Sequence, residues 1–265
     1  MNPVRRISES LRGMRWAQLV LELALLIIGI LIALAVDGWM DNRCDARLER
    51  QYLELLVRDL DRDLEVIDEF LGFEERQVAD SVFAYRTLRG GVAAEDREAV
   101  ADALTRLTWR RTLRLTRATY TDLLSTGRLR LIQSAALRDH IVGLYEDNER
   151  TLVIRDLNNQ VFIDDMYLQY LWDSGLVAPR ATGNLGLLDG PVREFARRVD
   201  MPVATADDRL WQLPADSPER TVLVNKVWMR GLISNTAIAH AQVMAGAIRQ
   251  VRESIAAELN RRWPR

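Results

Sequence analysis

From Leu23 to Val36 the chain runs fourteen residues without a charge, LALLIIGILIALAV, with Trp16 before the run and Trp39 after it. Few structures can accommodate such a stretch. The segment from Trp16 to Trp39 would rise roughly 36 Å as an α-helix, enough to cross a hydrocarbon core of about 30 Å. Trp16 and Trp39 fall where interfacial aromatic anchors sit. Residues 16–39 therefore read as one transmembrane helix in contact with the lipid bilayer. A cleavable signal peptide is the rival reading: Arg5, Arg6, Arg12 and Arg15 make a basic leader, and Ala33-Leu34-Ala35 fits an A-x-A cleavage site. Tryptophan on both flanks and Glu22 at the head of the run favour a retained anchor.

Arginines set the expected orientation. Four lie in residues 1–15, while Arg43, Arg47 and Arg50 follow the span. The small excess places a short basic tail, 1–15, in the cytoplasm. Residues 40–265 then form an extramembrane domain, periplasmic if the membrane is a bacterial inner membrane. A tail this short holds no output domain, so a message crossing the bilayer would need a partner membrane protein.

At 100° per residue, Glu22, Leu26, Gly29, Ala33 and Asp37 share one stripe of the span. Gly29 and Ala33 form a small-x-x-x-small pair that lets two helix backbones approach. Glu22 is an ionisable group near the apolar core, where such groups usually face another helix. The stripe reads as a helix–helix contact, and the bland alternative is ordinary glycine and alanine usage with Glu22 reaching for the headgroups. Continued unbroken, the stripe reaches Cys44, the single cysteine. Two copies could be joined there by a disulfide in an oxidising compartment, or Cys44 is simply a free thiol.

Beyond the span, 3.6-residue periodicity dominates. Leu53, Leu56, Leu60, Leu64, Ile67 and Leu71 predict a helix over about 40–88, with Val78, Val82 and Tyr85 carrying it to the stop at Gly90-Gly91. Opposite them stand Asp59, Asp61, Asp63, Glu65, Asp68 and Glu69. Arg58 and Arg62 between them make this a solvated face rather than a divalent-cation site. A second helix is predicted over 95–116. A third spans 135–173, with Ser134 as N-cap, and Asn148, Asn158 and Asn159 either line a pocket or mark exposed or kinked turns. Ser217-Pro218-Glu219 opens a last helix over 218–263, with Ile238, Ala241, Ala245, Ile248, Val251, Ile255 and Leu259 inward. Between them lies a loop-rich insert, 175–213, with a short helix at Val192–Val199. Its Leu187, Leu188, Phe195, Leu210 and Trp211 argue for packing. The expected fold class is all-α: one transmembrane helix continuous with a long helix of an extramembrane bundle.

Catalytic chemistry is hard to find. Net charge is −2, which gives no bulk attraction to nucleic acid. No phosphate loop, dinucleotide fingerprint, nucleophile elbow or zinc motif occurs. His140 and His240 lack motif partners, and the adjacent pairs Asp164-Asp165 and Asp207-Asp208 say nothing about a shared cleft. No catalytic residue, cofactor or metal is expected, and the chain does not read as an enzyme.

Two stretches resemble a known family. Glu22-Leu-Ala-Leu-Leu-Ile-Ile-Gly-Ile-Leu-Ile-Ala-Leu-Ala-Val-Asp-Gly-Trp39 is similar to the N-terminal signature of uncharacterised bacterial single-pass membrane proteins classed as a domain of unknown function. Tyr120-x-x-Leu-x-Ser-x-Gly-x-Leu-x-Leu-Ile132, then Leu137-Arg138 and Leu144-Tyr145, matches a second stretch. Met40-Asp41 departs from the usual Asn-acid after the tryptophan. The resemblance implies a retained anchor and brings no activity or substrate.

Two functions are therefore expected. The first is a membrane-anchored interaction or scaffold protein, self-associating through the Glu22 stripe or bound to a partner membrane protein. The second is a periplasmic ligand-sensing bundle that binds a small molecule within the bundle or under the 175–213 loops, a pocket lined by Asn148, Asn158 or Trp172 favouring it. A third, an unrecognised hydrolase, would need a convergent carboxylate or histidine cluster that only the fold could create.

Overall fold

A single helix, α1, runs from Pro3 to Gly90 without a break. At 1.5 Å per residue it is roughly 130 Å long. The computed structural model describes residues 3–175, 198 and 208–264. No proline follows Pro3 within α1, so nothing removes an amide donor from its ladder. Termination comes at Gly90-Gly91, where Gly91 takes φ +95°, a conformation glycine reaches without a Cβ penalty. The basic tail is thus helical from Pro3 and continuous with the span.

The remaining elements fold back along the upper part of α1. A 3₁₀ turn at Ala94–Asp96 leads into α2, Arg97–Arg106, and α3 covers Ala118–Ser125. After a second 3₁₀ turn, Arg128–Leu131, α4 spans Ala135–Asn158 and passes into a π-helical segment, Asn159–Leu168, and then α5, Gln169–Ser174. A short α6, Asp208–Gln212, precedes α7, Pro218–Arg262. The long α7 packs antiparallel to α1, α2 and α3 lie on α1, and α4 with its π-helical continuation lies on α7. Among the described residues there is no strand, so the domain is all-α.

Two apolar cores are stacked along the α1–α7 pair. The one nearer the N-terminal span contains Leu53, Leu56, Leu60, Ile67 and Phe70 of α1, with Leu123, Ile132, Ile141, Ala241, Ile248 and Ile255. The far core contains Ala84 and Leu88, with Val100, Leu104, Leu107, Tyr167, Leu171, Leu223 and Val227. Leu210 is buried in the far core and Trp211 packs against it.

Several local expectations are corrected. The second helix ends at Arg106 rather than 116. Residues 107–117 run as irregular chain because side chains from other elements take up their backbone groups: Arg230 binds the Leu107 and Trp109 carbonyls, Arg155 the Arg111 carbonyl, and Asp63 the Thr116 amide. The helix does run through Val78, Val82 and Tyr85 to Gly90, but its buried stripe there is Glu74, Gln77, Ser81, Ala84 and Leu88. Ile238 is only half-buried, and Ala237 takes the inward position. The acidic face is not wholly solvated either, since Asp63 is buried. The polar run at Asn158-Asn159 marks the switch to π-helix, where the Gln169 amide reaches back five residues to the Asp164 carbonyl. Lys226, the one lysine, donates to the Met166 carbonyl at 2.7 Å. The expected helix at Val192–Val199 and Leu187, Leu188 and Phe195 lie outside the described residues, apart from Arg198.

One helix among the described residues is long and apolar enough to cross a membrane, and its apolar window is wholly exposed. From Val20 to Val36 its large apolar side chains are 48–63% exposed.

Candidate functional site

The two cores are separated by a polar layer that closes where α1, α4 and α7 pass the 107–117 segment. Its centre is Arg230, 1% exposed. Nε donates to the Leu107 carbonyl at 2.9 Å, and Nη2 donates to the Trp109 carbonyl at 2.9 Å and to Gln77 Oε1 at 3.1 Å. Nη1 donates to Ser234 Oγ, whose hydroxyl donates in turn to Glu74 Oε2 at 2.7 Å. The Glu74 carboxylate stands 3.8 Å from Arg230 Nη1. Burial raises the Glu74 pKa, opposed by Arg230 and the Ser234 hydrogen bond. Burial lowers that of Arg230, opposed by Glu74. Each charge is held in place by the other.

Arg155, on α4, is also buried and carries the layer across to that helix. Its Nη2 donates to the Arg111 carbonyl at 2.6 Å, and the guanidinium lies 3.8 Å from the Phe70 ring centre. Among the described residues Nε and Nη1 have no hydrogen-bond partner, so the ring face is what they meet. Burial lowers its pKa, and Glu74 opposes that shift. Just above, Ser81 Oγ donates to the Val227 carbonyl at 2.6 Å. A Cβ on Gly231 would collide with that hydroxyl, so glycine is what lets α1 and α7 approach here.

Nearer the span, carboxylates of α1 serve as distant caps. Asp63 accepts from the Thr116 amide at 2.7 Å and Asp59 from the Thr119 amide at 3.3 Å, at the entry to α3. Glu49 accepts from the Gln133 amide at 2.9 Å, just before α4. Negative charge is favourable at a helix start, where free amides point outward. Burial pushes Asp63 up to about 6 against the Thr116 bonds that lower it. The Tyr145 ring stacks on Tyr120 at 4.2 Å, and its buried hydroxyl has no hydrogen-bond partner among the described residues. Burial, then the nearby Asp63, push the Tyr145 pKa up.

These carboxylates and guanidiniums are engaged with backbone groups and with one another. The arrangement fixes the register of α1, α4, α7 and the 107–117 segment. Shifting α7 along α1 by one turn would strand several buried polar groups together, each costing about 1–3 kcal/mol.

The residues singled out in the sequence fall elsewhere. Glu22, Leu26, Gly29, Ala33 and Asp37 share one exposed face of α1, with open space around the position of a Gly29 Cβ. Cys44 is an exposed free thiol further along α1. Trp16 and Trp39 are exposed, and the Arg43 guanidinium lies 5.2 Å from the Trp39 ring. His140 and His240 are on the surface. Asp164 pairs with Arg110 at 3.0 Å while Asp165 faces solvent, and Asp207 lies outside the described residues. Asn148 and Asn159 are buried, Asn158 is half-exposed and Trp172 is exposed. Among the described residues no group of three or more His, Cys, Asp or Glu side chains is placed to hold a metal ion.

Arg230 escaped the sequence reading, though it left a trace. It is the only charge in the 22 residues from Val227 to Ile248. A lone arginine in an otherwise uncharged helical stretch is a candidate for a buried, fully bonded guanidinium.

The model of DUF6090, a family of unknown function, matches residues 22–165, more than half of the chain, and the chain belongs to that family. No curated protein and no solved structure matches the chain. The matched residues contain both stretches on which the resemblance rested and stop short of α7.

Proposed function

We propose, with membership of this family as the premise, that the protein is a single-pass membrane-anchored interaction module. It self-associates through the face of Glu22, Leu26, Gly29, Ala33 and Asp37. The observation that carries the reading is the unbroken course of α1 from an exposed apolar stretch through both cores. A continuous row of exposed leucine and isoleucine is costly in water, by roughly 1.5–3 kcal/mol for each side chain that a bilayer would cover. Stiff continuity then converts contact or rotation within the bilayer into displacement of the bundle. The arginine bias supports a cytoplasmic N-terminus and a periplasmic bundle at a bacterial inner membrane. This reading assigns no catalytic residue, cofactor, metal or nucleic acid; its partners are the bilayer and another copy or another membrane protein.

Cys44 supplies the test. Membranes prepared with a thiol-blocking reagent and run on non-reducing gels should show a disulfide-linked dimer, lost on reduction and reduced several-fold by Gly29→Leu. Monomer alone in both the parent and the variant would refute self-association through this face.

One observation favours a sensing role as a second reading. A groove of about 380 Å³ is lined by Phe73, Arg76, Gln77, Asp80, Arg106 and Trp109. Gln77 belongs to the Arg230 network, so a small polar ligand seated there would be felt in the layer. Titration of the full chain with candidate ligands, followed by tryptophan fluorescence, should show a saturable change that Trp109→Phe removes; a flat response eliminates this reading.

A further inference from the structure

We infer that the outer face of α7 is a docking seam for a second copy of this chain. The inference rests on the anchored, self-associating reading and names a surface in the bundle that the reading leaves out. Trp228, Leu232, Asn235, Ala239, Gln242 and Gly246 are all exposed and recur at alternate spacings of four and three. That spacing puts them on one face of the helix, as a helix–helix seam requires. At the chain average of 28% charged residues, Val227–Ile248 would hold about six charges; it holds one, Arg230, which is turned inward. The exposed face of α1 shows the contrast, with Arg58, Arg62, Glu65, Asp68, Glu69 and Glu75 in solvent.

The chemistry of the seam selects its occupant. Two copies anchored the same way in one membrane can be related by a twofold axis only along the membrane normal. Each seam residue then meets its own counterpart at the same height. A carboxylate or guanidinium would meet its like, which is repulsive, and the seam has neither. The side-chain amides of Asn235 and Gln242 each donate and accept, so each can bond its own copy. Ala239 and Gly246 are small enough for close approach, with nothing within 4 Å of a Gly246 Cβ position. At the upper end, Trp228 and Leu232 border a groove of about 370 Å³ shared with Val78 and Val82 of α1. A partner of different sequence would gain from charges here; a second copy would not. The seam is about 27 Å long and one helix face wide, on the order of 300 Å² per copy, which is small for a free complex. Tethering in one bilayer raises the effective concentration enough to populate it.

The test uses the full chain in its membrane, in a Cys44→Ser background. Single cysteines at Asn235, Ala239 and Gln242 should oxidise to dimers several-fold more than one at Glu65 on the charged face of α1. Ala239→Asp should reduce the Gln242→Cys dimer several-fold without lowering the melting temperature. Seam cysteines that crosslink no better than Glu65→Cys, or that join a different protein, would overturn the inference. Monomeric seam variants alongside a persistent Cys44-linked dimer of the parent would sink the seam alone. Loss of both dimers would take the membrane-face reading with it.

Discussion

Replacing Arg230 with methionine keeps most of the volume and removes the charge. The variant withdraws the donor from two carbonyls, Leu107 and Trp109, and from Gln77 and Ser234. It also leaves Glu74, 3% exposed, without its nearest counter-ion, with only the more distant charge of Arg155 to offset it. Removing one partner of a buried ion pair typically costs 3–5 kcal/mol, most of it the desolvation of the charge left behind. In a chain of this size each kcal/mol moves the melting temperature by about 2–4 °C, so Arg230→Met should melt about 10 °C lower. If the stranded carboxylate is the cause, deleting it should help. Arg230→Met with Glu74→Leu should regain at least half of the loss, with Ser234 turning to its own helix for an acceptor. Far-ultraviolet circular dichroism melts of the detergent-solubilised full chain read both values, and the four variants make a double-mutant cycle. A single variant within about 2 °C of the parent would refute the reasoning. So would a double variant no more stable than Arg230→Met.

Three further outcomes follow from the same geometry. Gly231→Ala drives a methyl group into Ser81 and should cost about 1–3 kcal/mol; adding Ser81→Gly should recover part of it, and equal melting of both variants would contradict the close-approach argument. Asp63 is pushed up to about 6 from 3.8, so its contribution is fully present below about pH 4 and is lost as pH rises through about 6. The difference amounts to about 3 kcal/mol. Asp63→Asn keeps an acceptor for the Thr116 amide and should flatten the fall in stability between pH 4 and 6, apart from the part due to Glu74, whose pKa moves the same way. Melts at unit pH steps that keep the parent's slope would exclude Asp63 as its source. Tyr145→Phe removes a buried hydroxyl with no partner among the described residues and should be neutral or stabilising by up to about 1 kcal/mol; a clear loss of melting temperature would mean that the hydroxyl is bonded in solution.

Most of the architecture is legible in the chain because its causes are local. The uncharged run at Leu23–Val36, the leucine spacing from Leu53, the Gly90-Gly91 stop and the Ser217-Pro218 start each act within a few residues. Ser217 does cap α7, accepting from the Arg220 amide at 3.3 Å. Such signals determine where helices begin, which face is apolar and that the fold is all-α. They do not carry the polar layer. Asp63 reads as one more acid on a wet face until the Thr116 amide, 53 residues away, is placed against it. Likewise the apolar pattern of Val100, Leu104 and Leu107 suits a longer helix. That helix ends early because Arg230, 123 residues on from Leu107, takes its carbonyl. A backbone group bonds whichever partner folding brings to it, and no local pattern records a partner that distant. Sequence alone therefore settled the all-α class, the long helices and the candidate span, but not the end of the second helix. Tertiary structure decided which charges are buried, which segment stays irregular and which face of α7 is left exposed among the described residues.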